Sequence, residues 1–345
     1  MFGNFLLLFI LVQNSASPVP TILHEDIRLV RRLDGGKFSD VFEGYLNSPL
    51  SSCRPQLVAL KVFKQGVSID KINREVTIMT EVQSTINNTC TLLGVCRTGN
   101  NEVTTLVMQH AAQNKTRKIQ YFSNKGGFVS SKHKTRTPPL TMPEIRFALF
   151  ELLKILDAMH EKHIMHRDVK PRNILLSRSV GGGRISGICL CDFGLSDWYE
   201  IDRATGYSFR VATKSYKAPE LITGSLANGR AVPTHRPPYG PPVDMWGVGC
   251  ILAALLFEKE PFFGGKTLVD VKNEVEGLLG PIDCETENEQ HGDGQQTKTW
   301  ENLANSRNKD IPRTALDLAT KLLRINPKHR LTAREAMEHE FFLNV

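Results

Sequence analysis

The apolar residues of this 345-residue chain change period once, about a third of the way along, and that switch limits the fold more than any single motif. Before it they come in short runs separated by turns. Ile27 to Leu33, Val41 to Tyr45, Leu57 to Phe63 and Thr104 to Met108 read as strands. One helical stretch interrupts them, residues 70–82, with Ile72, Val76 and Met79 on one face. From Thr141 onward helices dominate. Thr141 and Glu144 form a capping box ahead of the periodic stretch Phe147 to Met159. Residues 243–257 are apolar nearly all round, which asks for a buried central helix. Gln113 to Pro139 read as an exposed polar loop and residues 281–311 as another, and two helical segments close the chain. The pattern predicts an α+β chain with a small β-rich part followed by a larger helical one.

The formal net charge is +7, but it is not spread over the chain. Residues 103–143 hold no acid and carry Lys115, Arg117, Lys118, Lys125, Lys132, Lys134 and Arg136, which account for the whole excess. A basic insert in a balanced chain argues against a basic fold built for nucleic acid, so nucleic acid is not an expected partner. The seven cysteines show no CxxC pair or Cys/His cluster of the kind that holds structural zinc, and read as reduced thiols. Phe5 to Val12 form an apolar run too short for a membrane span, followed by Ser15-Ala16-Ser17 and Pro18. That layout resembles a secretory signal peptide over residues 1–17, although no Lys or Arg precedes the run. The sequons Asn87-Asn88-Thr89 and Asn114-Lys115-Thr116 accompany it. Two readings stand: a signal peptide leading to the secretory pathway, or a hydrophobic extension over residues 1–20 on a cytoplasmic or nuclear protein.

The chemistry concentrates in His166-Arg167-Asp168-Val169-Lys170-Pro171-Arg172-Asn173 and, after a strand-like stretch Ile185 to Cys191, Asp192-Phe193-Gly194. Both motifs, in this order, match the protein kinase signature. Phosphoryl transfer needs a carboxylate beside the attacking hydroxyl, and Asp168 has that position. It needs oxygen ligands for Mg2+, which Asn173 and Asp192 offer. Lys170 can offset charge on the γ-phosphate. Upstream, Val58-Ala59-Leu60-Lys61 matches the strand whose Lys holds the α- and β-phosphates, with Glu75 on the following helix as its partner. The phosphate-covering loop Leu33-Asp34-Gly35-Gly36-Lys37-Phe38-Ser39-Asp40-Val41 matches less well. Only Gly36 is in register with its glycine pattern, Asp34 stands at the first glycine position, and a carboxylate there repels triphosphate unless it turns outward. Ala218-Pro219-Glu220 ends the activation segment, with Arg330 the expected buried partner of Glu220 and Asp244 a brace for the catalytic loop.

Within that signature, Ile164 to Pro171, Lys259-Glu260-Pro261-Phe262-Phe263, Arg330 to His339 and Val41-Phe42-Glu43-Gly44 resemble the catalytic (alpha) subunit of casein kinase 2, over about residues 27–343. The resemblance implies a bilobal protein kinase fold with an N-lobe at about 22–109, a hinge at about 109–113, the basic insert at about 114–139 and a C-lobe at about 140–345. It implies an ATP site drawn from Leu33, Gly35, Gly36, Val41, Ala59, Lys61, Glu75 and the hinge residues Met108, Gln109, His110 and Ala111. It implies substrates whose target Ser or Thr has acidic flanks, bound by Arg210, Lys214 and Lys217 in a stretch free of acids. A regulatory beta-type subunit docking on the small lobe, the part that departs most from the family, is a further implied partner. An acidic context around Thr286 suggests autophosphorylation there. A nucleotide-binding pseudokinase scaffold is the alternative from a different class, with Asp34 as its support.

Overall fold

The computed structural model describes residues 19–47, 55–110, 118–121, 140–178, 184–200, 207–227, 239–282, 293–306 and 310–343. Residues 1–17, Ala111, the sequon at Asn114 and Thr286 lie outside them. The chain forms two compact units, one from residues up to Thr85 plus the stretch beginning at Cys90, the other from Ile86–Thr89 plus the remainder.

The first unit is a five-stranded antiparallel sheet of β1 (Ile27–Gly35), β2 (Ser39–Leu46), β3 (Gln56–Phe63), β4 (Leu92–Arg97) and β5 (Val103–Gln109), in the order β1-β2-β3-β5-β4. Strand alternation sends Val58 and Leu60 to one face. There they bury with Cys96 and Val107 under Ile22, Ile27, Phe42, Leu46 and Leu93. Register puts Val41, Lys61 and Leu106 in one row on the other face, and Glu43, Ala59 and Met108 in the next. Helix α1 (Ile69–Gln83) buries Ile72, Glu75, Ile78, Met79 and Val82, a stripe at helical spacing that carries one charged residue inward. Ahead of β1, Val95 donates its N–H to Pro20 and Ile22 returns one to Val95, each at 2.9 Å, so the chain itself runs along β4.

The second unit is mainly helical. Its helices are α2 (Met142–Glu161), α3 (Pro219–Leu226), α4 (Pro242–Leu256), α5 (Leu268–Leu279), α6 (Asp293–Ser306), α7 (Arg313–Leu322) and α8 (Ala333–Met337). The expected capping box starts α2: Thr141 N–H donates to the Glu144 carboxylate at 3.0 Å. Every residue of α4 after Pro242 is buried, as its all-round apolar sequence requires. Its glycines have a packing reason. A Cβ at Gly247 would lie 2.7 Å from the Val169 carbonyl oxygen and one at Gly249 would lie 2.7 Å from Leu323, so small residues let the catalytic loop and α7 press on the helix backbone.

Two sheets complete the unit. In the first, β6 (Lys118–Tyr121), β8 (Ile174–Arg178) and β9 (Ile185–Leu190) run in the order β6-β8-β9. In the second, β7 (Ile164–Met165) pairs with β10 (Asp197–Trp198).

Two stretches expected as loop differ from that expectation. Lys118–Tyr121, inside the basic insert, is a strand because β8 offers it a full antiparallel ladder, Lys118 opposite Arg178 through Tyr121 opposite Leu175. Residues 293–306 form α6 despite a polar sequence. A tertiary anchor holds it: Trp300 is fully buried and stacks on Phe262 at 5.6 Å, with Ala304 buried one turn later.

Candidate active site

In the first unit β3 and α1 bring Lys61 and Glu75 together at 2.5 Å, both nearly excluded from solvent. A lysine buried this way is held in one place by its carboxylate, and loss of either partner leaves an uncompensated charge. On the same face Arg31 grips Glu43 with two hydrogen bonds of 2.9 Å, and His110 approaches the same carboxylate at 3.3 Å. Burial lowers the His110 imidazole below its usual range; Glu43 opposes that and Arg31 reinforces it. Ala59, Val41 and Leu33 are half-buried, Met108 and His110 buried, and Gln109 exposed. The β1–β2 register slips between Arg32 and Asp34, beside Leu33.

In the β1–β2 turn the Asp34 carboxylate bonds to the backbone of the turn itself. Its Oδ1 accepts the Gly35 N–H at 2.8 Å, and the Gly36 N–H donates to the Ser39 carbonyl at 2.8 Å. Both glycine amides expected to face phosphate are therefore engaged within the turn. Lys64, just past β3, fastens the turn from outside by donating to the Gly36 carbonyl at 2.7 Å.

In the second unit, the catalytic loop hangs on Asp244. Its carboxylate accepts the backbone N–H groups of His166 at 2.9 Å and Arg167 at 2.7 Å, and the His160 ring at 2.9 Å. Burial pushes the Asp244 carboxyl up, but the hydrogen bonds and charge from His160 and His166 outweigh it and hold the group below the ordinary carboxylate range. Arg167, in the left-handed region at φ 63°, spends its guanidinium on the Leu195 carbonyl, the Tyr239 hydroxyl and the Asp197 carboxylate. Its neighbour Asp168 is 5% exposed. Oδ2 of Asp168 accepts from Lys170 Nζ at 2.6 Å and Asn173 Nδ2 at 3.1 Å, and Oδ1 accepts from the Thr213 N–H at 2.9 Å and its hydroxyl at 2.8 Å. Lys170 also donates to the Thr213 hydroxyl at 2.8 Å, closing a ring of three side chains to which Asn173 attaches at Asp168.

Pairing of β8 with β9 brings the two signature motifs together. Cys191 N–H donates to the Asn173 carbonyl at 2.9 Å, which sets Asp192 directly after the contact with Asn173. Asn173 turns its Nδ2 to the Asp168 carbonyl and carboxylate, so its amide oxygen faces away from them. The pair supplies hard oxygen donors, the set that suits Mg2+. Asp192 takes φ 67°. The expected Glu220–Arg330 pair is bidentate, 2.7 Å on each arm.

Of the three cations expected at the substrate, Arg210 is exposed and Lys214 is half-buried, donating to the Lys266 carbonyl. Lys217 is buried. It is 7% exposed and its ammonium donates to the carbonyls of Phe209 at 2.8 Å and Val211 at 2.5 Å and to the Ser225 hydroxyl at 3.3 Å. An acid-free stretch gives no sign of which lysine faces inward, because its partners here are backbone carbonyls. Thr213 and Asp197 were missed altogether. The signal for Thr213, a hydroxyl residue six positions before the Pro of Ala218-Pro219-Glu220, is too common to stand out.

Residues 28–342 match the sequence model of the family described as the protein kinase domain. The match takes in nearly all of the chain, including both signature motifs and the two units described above. The chain therefore belongs to the protein kinase family and has the family's fold, a β-sheet N-terminal unit and a helical C-terminal one.

Proposed function

We propose that this protein is an ATP-dependent protein serine/threonine kinase, akin to the casein kinase 2 catalytic subunit, that phosphorylates Ser and Thr in acidic contexts. The observation that carries the reading is the polar cluster of Asp168, Lys170, Asn173 and Thr213, with every member within 3.1 Å of another. In it Asp168 is the base that orients the substrate hydroxyl and takes its proton, and Lys170 balances charge on the transferred group. Lys61, fixed by Glu75, is the nucleotide-phosphate ligand on the first unit, with Ala59, Val41, Met108 and the backbone of Gln109 and His110 for the adenine. Asn173 and Asp192 hold Mg2+, which when bound offsets phosphate charge.

Acid recognition falls to exposed Arg210 and half-buried Lys214, whose positive charges attract carboxylates flanking the target residue. Arg167, which could otherwise receive a phosphorylated residue of the activation segment, is already paired with Asp197. A regulatory beta-type subunit is no part of this reading, because the small unit on which it would dock is the part that departs most from the resembled family.

The test is phosphorylation of a Ser/Thr peptide panel with acidic, basic and proline flanks by the full chain and by the double variant Arg210→Glu, Lys214→Glu. Acid-flanked peptides lead with the wild type and lose their lead with the variant; a lead for basic or proline flanks overturns the assignment. A second reading, a nucleotide-binding pseudokinase scaffold, draws on the engaged amides of Gly35 and Gly36. Nucleotide binding with no phosphate transferred to any peptide would select it.

A further inference from the structure

Lys217 lies three residues before Glu220, where the resemblance expects a ligand for substrate acids, yet its ammonium has gone elsewhere. Its three hydrogen bonds are internal, to the Phe209 and Val211 carbonyls and the Ser225 hydroxyl on α3. Ser225 itself donates to the Phe209 carbonyl at 2.8 Å, so lysine, serine and two carbonyls form a closed set. An ammonium has three donors and no acceptor, and this set uses each of them.

The two carbonyls are two residues apart, and turning both inward fixes what lies around them. Arg210, between them, is exposed, while Phe209 and Val211 are 8% and 4% exposed. Phe209 packs so tightly on α3 that a Cβ at Gly224 would fall 2.2 Å from its ring. Ala212 follows at φ 63°, a conformation unfavourable for a residue with a Cβ and kept only where both sides are anchored. On one side the anchor is Lys217 on Val211; on the other it is Asp168 on Thr213.

Resting on the kinase reading above, we infer that Lys217 is a positioning residue, an internal clasp that sets Thr213 on Asp168 and turns Arg210 outward, and does not itself bind substrate acids. Burial lowers its pKa to about 8, with Asp168 opposing, as fits a cation enclosed by neutral acceptors.

The experiment compares wild type, Lys217→Met and Ser225→Ala on one acid-flanked peptide and its alanine-flanked counterpart, with amide hydrogen exchange read at Thr213. A clasp predicts that Lys217→Met lowers kcat about tenfold or more on both peptides with their ratio unchanged, the loss of a charge-assisted bond. It also predicts faster exchange at Thr213, and a smaller change in the same sense for Ser225→Ala. A loss confined to the acid-flanked peptide with unchanged exchange at Thr213 makes Lys217 a direct acid ligand and overturns the inference. Unchanged rates and exchange overturn it too. Should Lys217→Met fail to fold, Ser225→Ala carries the comparison. Absence of any transfer by the wild type sinks the kinase reading instead, while exchange at Thr213 still decides the clasp.

Discussion

Thr213 donates both its backbone N–H and its hydroxyl to a single oxygen of Asp168, at 2.9 and 2.8 Å. The hydroxyl in turn accepts from Lys170, so the activation segment and the catalytic loop share one polar network. Removing the hydroxyl while keeping the shape isolates that network. Thr213→Val is expected to lower kcat about 10- to 100-fold, the worth of a hydrogen bond to a charged group, with the KM for ATP unchanged. Thr213→Ser should keep most of the rate. Steady-state kinetics on one peptide checks both.

The Asp34 carboxylate on the Gly35 amide acts as an anion already seated in the phosphate-covering turn. Asp34→Gly removes a competing charge and frees that amide. Titration calorimetry with Mg-ATP should show binding tightened about 2- to 10-fold, the worth of one ordinary hydrogen bond. Unchanged affinity would mean that the carboxylate does not compete with nucleotide.

Lys217 gives the protein an alkaline limit of an unusual kind. Its folded pKa, about 8, lies below the ordinary lysine value of 10.5. Asp168 on the catalytic loop is the ionised group bearing on it; its remaining neighbours, Ser225 on α3 and the carbonyls of the segment, are neutral. As pH rises through about 8 the ammonium loses a donor and kcat should fall. Stability moves the other way. Between the folded and unfolded pKa values the unfolded chain binds more protons, so rising pH favours the folded state. Melting of wild type against Lys217→Met at several pH values reads this directly: the wild type should gain relative to the variant across that window while its activity declines.

Asp244 holds the catalytic loop through two backbone amides and His160. Asp244→Ala should cost about 3–5 kcal/mol in urea unfolding at neutral pH, as expected when one partner of a buried charged network is removed. Because the folded carboxyl titrates below its unfolded value, the stability it gives is present above the ordinary carboxylate range. It is lost as pH falls through the folded value, so the gap between wild type and variant should narrow below about pH 4.

Much of this is legible in the sequence alone. The strand at Leu57 and the helix beginning near residue 70 follow from period alone, because each buries one face against its own unit, whereas the strand at Ile27 buries no residue and is held by its ladder with β2. The Asp244 brace could be foreseen because a charge opening an apolar helix needs partners, and the Glu220–Arg330 pair because Glu220 ends the activation segment of the kinase signature. What escaped depended on contacts far apart in sequence. Helix α6 is polar along its length and exists through Trp300 packing on Phe262. Strand β6 has only four residues and needs β8 to define it. Thr213 meets Asp168 across 45 residues, and Lys217 looks like any surface lysine until the carbonyls of Phe209 and Val211 turn toward it.

The most direct measurement is transfer of γ-labelled phosphate from Mg-ATP to a serine peptide with acidic flanks, by the full chain and by Asp168→Asn run in parallel. The kinase reading predicts phosphoserine with the wild type and a loss of about 100-fold or more in the variant, the scale of positioned acid–base help. Equal incorporation by both, or none by the wild type despite bound nucleotide, would contradict it.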